Sequence, residues 1–220
     1  MERKYQVLVY GATGFTGRLC AKYLKENYPD LSWAIGGRNK NKLEQLKNEM
    51  NLTCDILIAD AENYEDLSNM VKETKVLITT AGPYAKYGSL LLKACIFEKT
   101  HYTDITGENH WVKKQMDLYN EDAISKGVRI IPSCGYDSLP SDIGTLFAVN
   151  QLNKSIKKVE VFHSASGGAS GGTIESIFSM GKLPKEMRDP FLLNPKESVT
   201  DFQRKESADS ISIKWIKEAK

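Results

Sequence analysis

The sequence predicts a doubly wound α/β fold, in which helices cover both faces of a parallel sheet. Short apolar runs alternate strictly with helix-length amphipathic segments over the first 150 residues. Such alternation requires parallel strands joined by right-handed crossovers. The runs are continuous rather than alternating in polarity, which suits strands buried on both sides. A third observation is local. Gly11, Gly14 and Gly17 stand in YQVLVYGATGFTGRLCAKYL, where the first apolar run gives way to the first helix.

The elements follow in order. Residues 7–10 form a short buried strand, and 18–26 a helix with Leu19, Tyr23 and Leu24 on one face. A second strand over 33–35 ends at Gly36-Gly37. The helix over 40–50 sets Leu43, Leu46 and Met50 at helical spacing. Strand three spans 55–59, with a helix over 64–72. Strand four, 76–80, is closed by Gly82-Pro83, and 90–97 is apolar enough to be a well-buried helix. Strand five at 101–105, a helix over 112–125, strand six at 128–132 and a helix over 141–149 complete the series. The pattern then changes. IKKVEVFH, 156–163, alternates polar and apolar as a strand with one wet face. A glycine-serine stretch fills 164–173, a short helix fits 174–180, and the charged, proline-containing remainder reads as loop or poorly ordered chain. Residues 1–150 are therefore expected to form one domain, and 151–220 the beginning of a second, incomplete domain.

Composition narrows the classes. The 220 residues are 41% hydrophobic, enough for a sizeable core. Lys+Arg number 30 against 28 Asp+Glu, a balance that argues against a nucleic-acid-binding surface. Cys20, Cys54, Cys95 and Cys134 are scattered without a CxxC pair, as in reduced, intracellular proteins. The three histidines form no metal-binding set. With no signal-peptide pattern and no run near 18 apolar residues, an intracellular, cytoplasmic protein is expected.

Glycine lowers helix propensity by about 1 kcal/mol relative to alanine, so three at a helix start need a reason. In a βαβ nucleotide-binding unit the first allows the tight turn and the second admits the pyrophosphate. The third lets the helix pack closely on the strand. Gly11, Gly14 and Gly17, with Thr13, Phe15 and Thr16 between them, are thus candidate cofactor-binding residues. No acid follows strand two to accept from a ribose 2′-hydroxyl. Instead AIGGRNKNK places Arg38 where a 2′-phosphate would lie, with Asn39, Lys40 and Lys42 nearby, so NADP(H) is favoured over NAD(H). Asp60 either accepts from the adenine amino group or caps the following helix. Ala81, Gly82 and Pro83 close strand four at the crevice, beside the nicotinamide ribose.

GATGFTGRL, AGPYAKYG (81–88), DITGE (104–108), CGYDSLPSD (134–142) and SGGT (170–173) occur in an order that resembles the saccharopine dehydrogenase-like oxidoreductases, the group that includes trans-acting enoyl reductases. The resemblance spans about residues 5–195. It implies a Rossmann domain, a second α+β domain in a chain nearly twice this length, and a lipid-related substrate. It also implies lipid-droplet or peripheral membrane association. The likeness to saccharopine dehydrogenases proper is weaker. A homodimer is a further expectation.

Hydride transfer needs a nicotinamide held against the substrate and often a proton donor near the developing charge. No tyrosine has lysine four residues later. Tyr84, Tyr87 and Tyr136 are the candidate catalytic residues, although packing against the cofactor is the favoured reading of each. Asp137 and Asp142 either cap the following helix or touch substrate, Glu108 is a candidate polar site residue, and SGGASGGT reads as a substrate-side loop. The leading function is an NADP-dependent oxidoreductase reducing an enoyl or carbonyl group on a lipid-like substrate. A non-catalytic NAD(P)-binding or redox-sensing protein and a lipid-surface interaction protein are the alternatives.

Overall fold

The computed structural model describes residues 3–161, 178, 181, 183–195 and 197–210, with the side chains of 207–210 excepted. Six strands are described: β1 (Tyr5–Tyr10), β2 (Trp33–Gly37), β3 (Asp55–Ile58), β4 (Thr74–Thr79), β5 (His101–Asp104) and β6 (Ile130–Ile131). All pair in parallel in the order β3-β2-β1-β4-β5-β6. Between them run α1 (Phe15–Asn27), α2 (Lys40–Glu49), α3 (Tyr64–Val71), α4 (Tyr84–Phe97) and α5 (Asn109–Lys126), and α6 (Leu139–Asn150) follows β6. The doubly wound expectation is met.

Two separate cores explain the continuous apolar strands. Leu8 and Ala34 belong to one cluster, with Leu67 of α3, Leu91 of α4 and Trp111 of α5. Their neighbours Val9 and Ile35 belong to the other, with Ala21 of α1 and Leu43 of α2. Successive strand side chains point to opposite faces, so apolar residues are needed on both.

Several expectations change. On α1 the buried residues are Gly17, Ala21 and Leu24, while Leu19 and Tyr23 are exposed. Small residues let this helix approach the sheet, and a periodicity read from large side chains marks the wrong stripe. Helix α4 begins at Tyr84 rather than 90. The expected strand over 156–163 is irregular chain as far as 161 and pairs with no strand among the described residues; 162 and 163 lie outside them. The 164–173 stretch lies outside the described residues too, as does the 174–180 helix except for Phe178. The 183–210 region is not simply loop. It holds a 3-10 turn at Lys185–Arg188 and α7 (Asp201–Ser210). Thr200 and Gln203 form a capping box, the Gln203 N–H donating to Thr200 Oγ1 at 3.2 Å and the Thr200 N–H to Gln203 Oε1 at 2.9 Å. Arg204 pairs with Asp189 at 2.8 Å, and Leu193 packs against the core.

Candidate functional site

The strand order reverses between β1 and β4, and ligands of open α/β sheets bind at the carboxyl ends of strands flanking such a switch point. A cleft of about 290 Å³ opens there, lined by Tyr10, Gly11, Thr13, Gly37, Arg38, Asn39, Lys42, Leu43, Ala61, Ala81, Gly82 and Tyr87. It is built from three loops that share hydrogen bonds. The Gly11 N–H donates to Gly36 O at 2.9 Å, and the Thr80 N–H donates to Tyr10 O at 3.0 Å. Thr80 Oγ1 lies 3.2 Å from Gly11 O, to which it donates.

The glycines have different physical jobs. Gly11 has φ +80, and a Cβ there would lie 2.9 Å from Ala81 N. A Cβ on Gly17 would lie 2.3 Å from Gly11 O, so helix and turn touch backbone to backbone. Gly14 differs. Its φ of -74 suits any residue, and an added Cβ would meet only Gly11 O, at 3.4 Å. The fold itself asks for glycine at 11 and 17, and leaves space at 14.

Helix N-termini carry unpaired N–H groups and positive potential. In α2 the Asn39 side chain accepts from Lys42 N, and in α3 the Asn63 side chain accepts from Glu65 N and Asp66 N. At α4 the Glu108 carboxylate accepts from Tyr84 N and Ala85 N, both at 2.9 Å. Helix α1 has no side-chain cap at Gly14. Its open end lies beside the cleft.

Arg38 is exposed on the cleft wall and, among the described residues, makes no hydrogen bond or ion pair. Lys40 points to Glu44 at 3.7 Å instead, whereas Lys42 lines the cleft. Tyr10, at the end of β1, donates to Ala59 O at 3.1 Å. Burial pushes its phenol up to about 12, with Asp60 adding to the rise and Arg38 opposing it.

The other expected residues are scattered. Gly11, Thr13, Arg38, Asn39, Ala81, Gly82 and Tyr87 line the cleft, whereas Gly14, Phe15, Thr16, Gly17, Asp60 and Pro83 do not. Asp60 closes a local turn, its Oδ1 accepting from Glu62 N at 3.0 Å, and the cap of α3 is Asn63. Tyr84 is buried; its hydroxyl donates to Thr79 O at 3.0 Å, and burial raises it well above the ordinary phenol range. That placement makes Tyr84 part of the core. Tyr136 is exposed away from the cleft lining. Ser138 is the N-cap of α6 without a side-chain bond, so neither Asp137 nor Asp142 is its cap residue. Glu108, expected as a polar site residue, is 1% exposed and does not line the cleft. Sequence reasoning missed Tyr10, Gly37, Leu43 and Ala61, whereas Lys42, expected near Arg38, lies in the wall with it. Proximity to the ends of strands one to three was the available signal. Among the described residues no cluster of His, Cys, Asp and Glu could hold a metal.

Residues 7–131 match the family model of the saccharopine dehydrogenase NADP binding domain. The chain belongs to this family. It is a family of NADP-binding oxidoreductases, and the cofactor of this domain is NADP(H). Over 217 residues the chain is 31% identical to a trans-acting enoyl reductase of Mycobacterium ulcerans, covering 90% of this chain and 51% of that protein. A saccharopine dehydrogenase-like oxidoreductase of Mus musculus is 34% identical over 185 residues, 77% of this chain and 43% of the relative. A lipid droplet localized protein of Caenorhabditis elegans is 34% identical over 177 residues, 76% and 42% of the two chains. The chain thus spans about half the length of the curated relatives it matches. Among solved structures, saccharopine dehydrogenase (L-Glu forming) from Saccharomyces cerevisiae shares the fold, with a TM-score of 0.56 at 16% identity over 67% of this chain and 31% of that one. Among the described residues no helix is long and apolar enough to cross a membrane.

Proposed function

We propose that this chain is the cofactor-binding part of an NADPH-dependent reductase acting on an enoyl or carbonyl group of a lipid-like substrate. Residues 1–150 would hold the cofactor and 151–220 would begin the substrate domain. The observation that carries the cofactor half is the empty flank of Gly14 beside the uncapped N-terminus of α1. An N-terminus of this kind attracts phosphate through its N–H groups and dipole. The pyrophosphate would lie along Gly11, Thr13, Gly14, Phe15, Thr16 and Gly17, and the 2′-phosphate against Arg38, with Asn39 and Lys42 beside it. Asn39 Oδ1 is occupied as a helix cap, which leaves its amide N–H₂ to donate. Ala61 and Asp60 would border the adenine, and Ala81, Gly82 and Pro83 the nicotinamide ribose.

The bound cofactor supplies hydride. The chain's own contribution is to bind and orient it. Of the three tyrosine candidates Tyr87 alone lines the cleft, with Lys86 Nζ 4.7 Å from its ring centroid, and it is carried forward as the proton-donor candidate. The lipid-like substrate rests on the names of the enoyl reductase and lipid droplet relatives. Lipid-droplet or membrane-surface association of an intracellular protein belongs to the same proposal. The engaged hydroxyl of Tyr84 favours a second reading, a dinucleotide-binding or redox-sensing protein without turnover.

Gly14→Val tests the cofactor half. A Cβ at position 14 would meet only Gly11 O, at 3.4 Å, and the branched side chain would occupy the phosphate's space, so circular dichroism should be unchanged and NADPH binding lost. A folded variant with wild-type NADPH affinity would mean that Gly14 does not face phosphate. NADPH oxidation with enoyl and keto lipids distinguishes the two readings of activity: stoichiometric binding without turnover supports the second.

A further inference from the structure

Helix α4 starts six residues earlier than its local sequence suggests, and the cause lies 24 residues downstream. Its N-cap, Pro83, offers no side-chain oxygen. Glu108 supplies both oxygens instead, Oε1 to the Tyr84 N–H and Oε2 to the Ala85 N–H. A carboxylate at a helix N-terminus pairs orphan N–H groups and complements the macrodipole.

This carboxylate is itself held. The Glu108 N–H donates to Thr106 Oγ1 at 3.0 Å, and the Thr106 N–H to Asp104 Oδ1 at 3.0 Å. Asp104 also accepts from Ser133 N at 2.9 Å and from the Tyr102 hydroxyl at 2.7 Å. On the other side, the clamped residues continue directly into the cleft wall. Ala81 and Gly82 precede Tyr84, Tyr87 follows one turn later, and all three line the cleft. The Gly11 turn leaves no slack, since a Cβ there would already lie 3.0 Å from the Ala81 Cβ.

We infer that Glu108 is a positioning residue for the cofactor, fixing the 81–87 wall on the nicotinamide side through its bidentate grip on the start of α4. The inference rests on the cofactor reading of the cleft given above. It separates the two ends of the dinucleotide. The Arg38 end is built on β2 and α2, whereas the far end is bordered by the segment that Glu108 holds.

Glu108→Gln keeps the shape and one acceptor but sets an N–H₂ against a backbone N–H. It should weaken NADPH about tenfold, the scale of one lost charge-assisted hydrogen bond. Adenosine 2′,5′-bisphosphate, which lacks the nicotinamide half, should bind as to wild type, within about twofold. Thr106→Val, which leaves the carboxylate in place but removes the acceptor for its backbone N–H, should shift NADPH in the same sense by about threefold. It also serves if Glu108→Gln does not fold. Titrations of both nucleotides follow nicotinamide fluorescence and calorimetric heat, with circular dichroism as the fold check. Equal weakening of the two nucleotides in folded variants, or no weakening of either, would overturn the inference. A wild-type chain that binds neither would bring down the cofactor reading first, and this inference with it.

Discussion

Helix α4 buries Leu91, Leu92, Ala94, Cys95 and Ile96, whereas α6, no less apolar in sequence, leaves Leu139, Ile143, Leu146 and Phe147 exposed. The difference is one of partners. Helix α4 crosses between two paired strands, packs against α3 and α5, and has its first turn clamped by Glu108. Helix α6 follows a strand of two residues at the edge of the sheet and buries none of its residues. Apolar content makes a helix able to be buried. Burial itself requires a second layer. The sheet carries a buried core on both faces, and α6 is the last helix before the proposed substrate domain at 151–220.

The sharpest way to break that contrast is truncation on each helix. Leu91→Ala removes a side chain that is 1% exposed and should cost about 2–5 kcal/mol through lost burial and the cavity left behind. Phe147→Ala removes a larger side chain that is 68% exposed and should stay within about 0.5 kcal/mol. Urea denaturation of both variants checks the pair. Comparable losses would mean that α6 is packed in solution.

A smaller effect sharpens the closed half. Burial raises the Asp104 carboxyl above its ordinary range, against the pull of Thr106 N, Ser133 N and the Tyr102 hydroxyl. The folded chain therefore keeps this proton to higher pH than the unfolded chain does. The stabilisation is complete below the unfolded value of 3.8 and is lost as pH rises through the folded value. Asp104→Asn cannot titrate, and its Oδ1 still serves both N–H groups. As pH rises from about 4, its unfolding midpoint should fall less than that of wild type. Parallel slopes would mean that Asp104 is not the group responsible.

What was legible in the sequence was what is local. The six strands alternate with helices because each crossover carries its own apolar stripe, and the turn at Gly11 needs its glycines within seven residues. The register of Arg38 follows from the end of strand two. Three features were not legible because their causes are tertiary. The first turn of α4 is capped by Glu108 from 24 residues downstream, the face of α1 depends on how closely a helix of small residues can approach β1, and the strand expected at 156–163 pairs with no described strand through residue 161. The capping box at Thr200 was readable from Thr200 and Gln203, but the dense charge around it obscured the signal.

Arg38 tests the central claim most directly, that the cleft at the switch point holds NADP(H) with the 2′-phosphate on β2's side. Its guanidinium is exposed on the wall and uncommitted among the described residues, free to offer two parallel N–H donors to a phosphate. Hydrogen bonds to charged groups contribute roughly 1.5–3 kcal/mol, or about ten- to a hundredfold in affinity. Arg38→Ala should weaken NADPH by that factor, softened by Lys42 on the same wall, and leave NADH nearly unchanged. Paired fluorescence titrations of wild type and variant at one moderate salt concentration give the answer. Equal losses for the two cofactors, or a wild type that prefers NADH, would contradict the account.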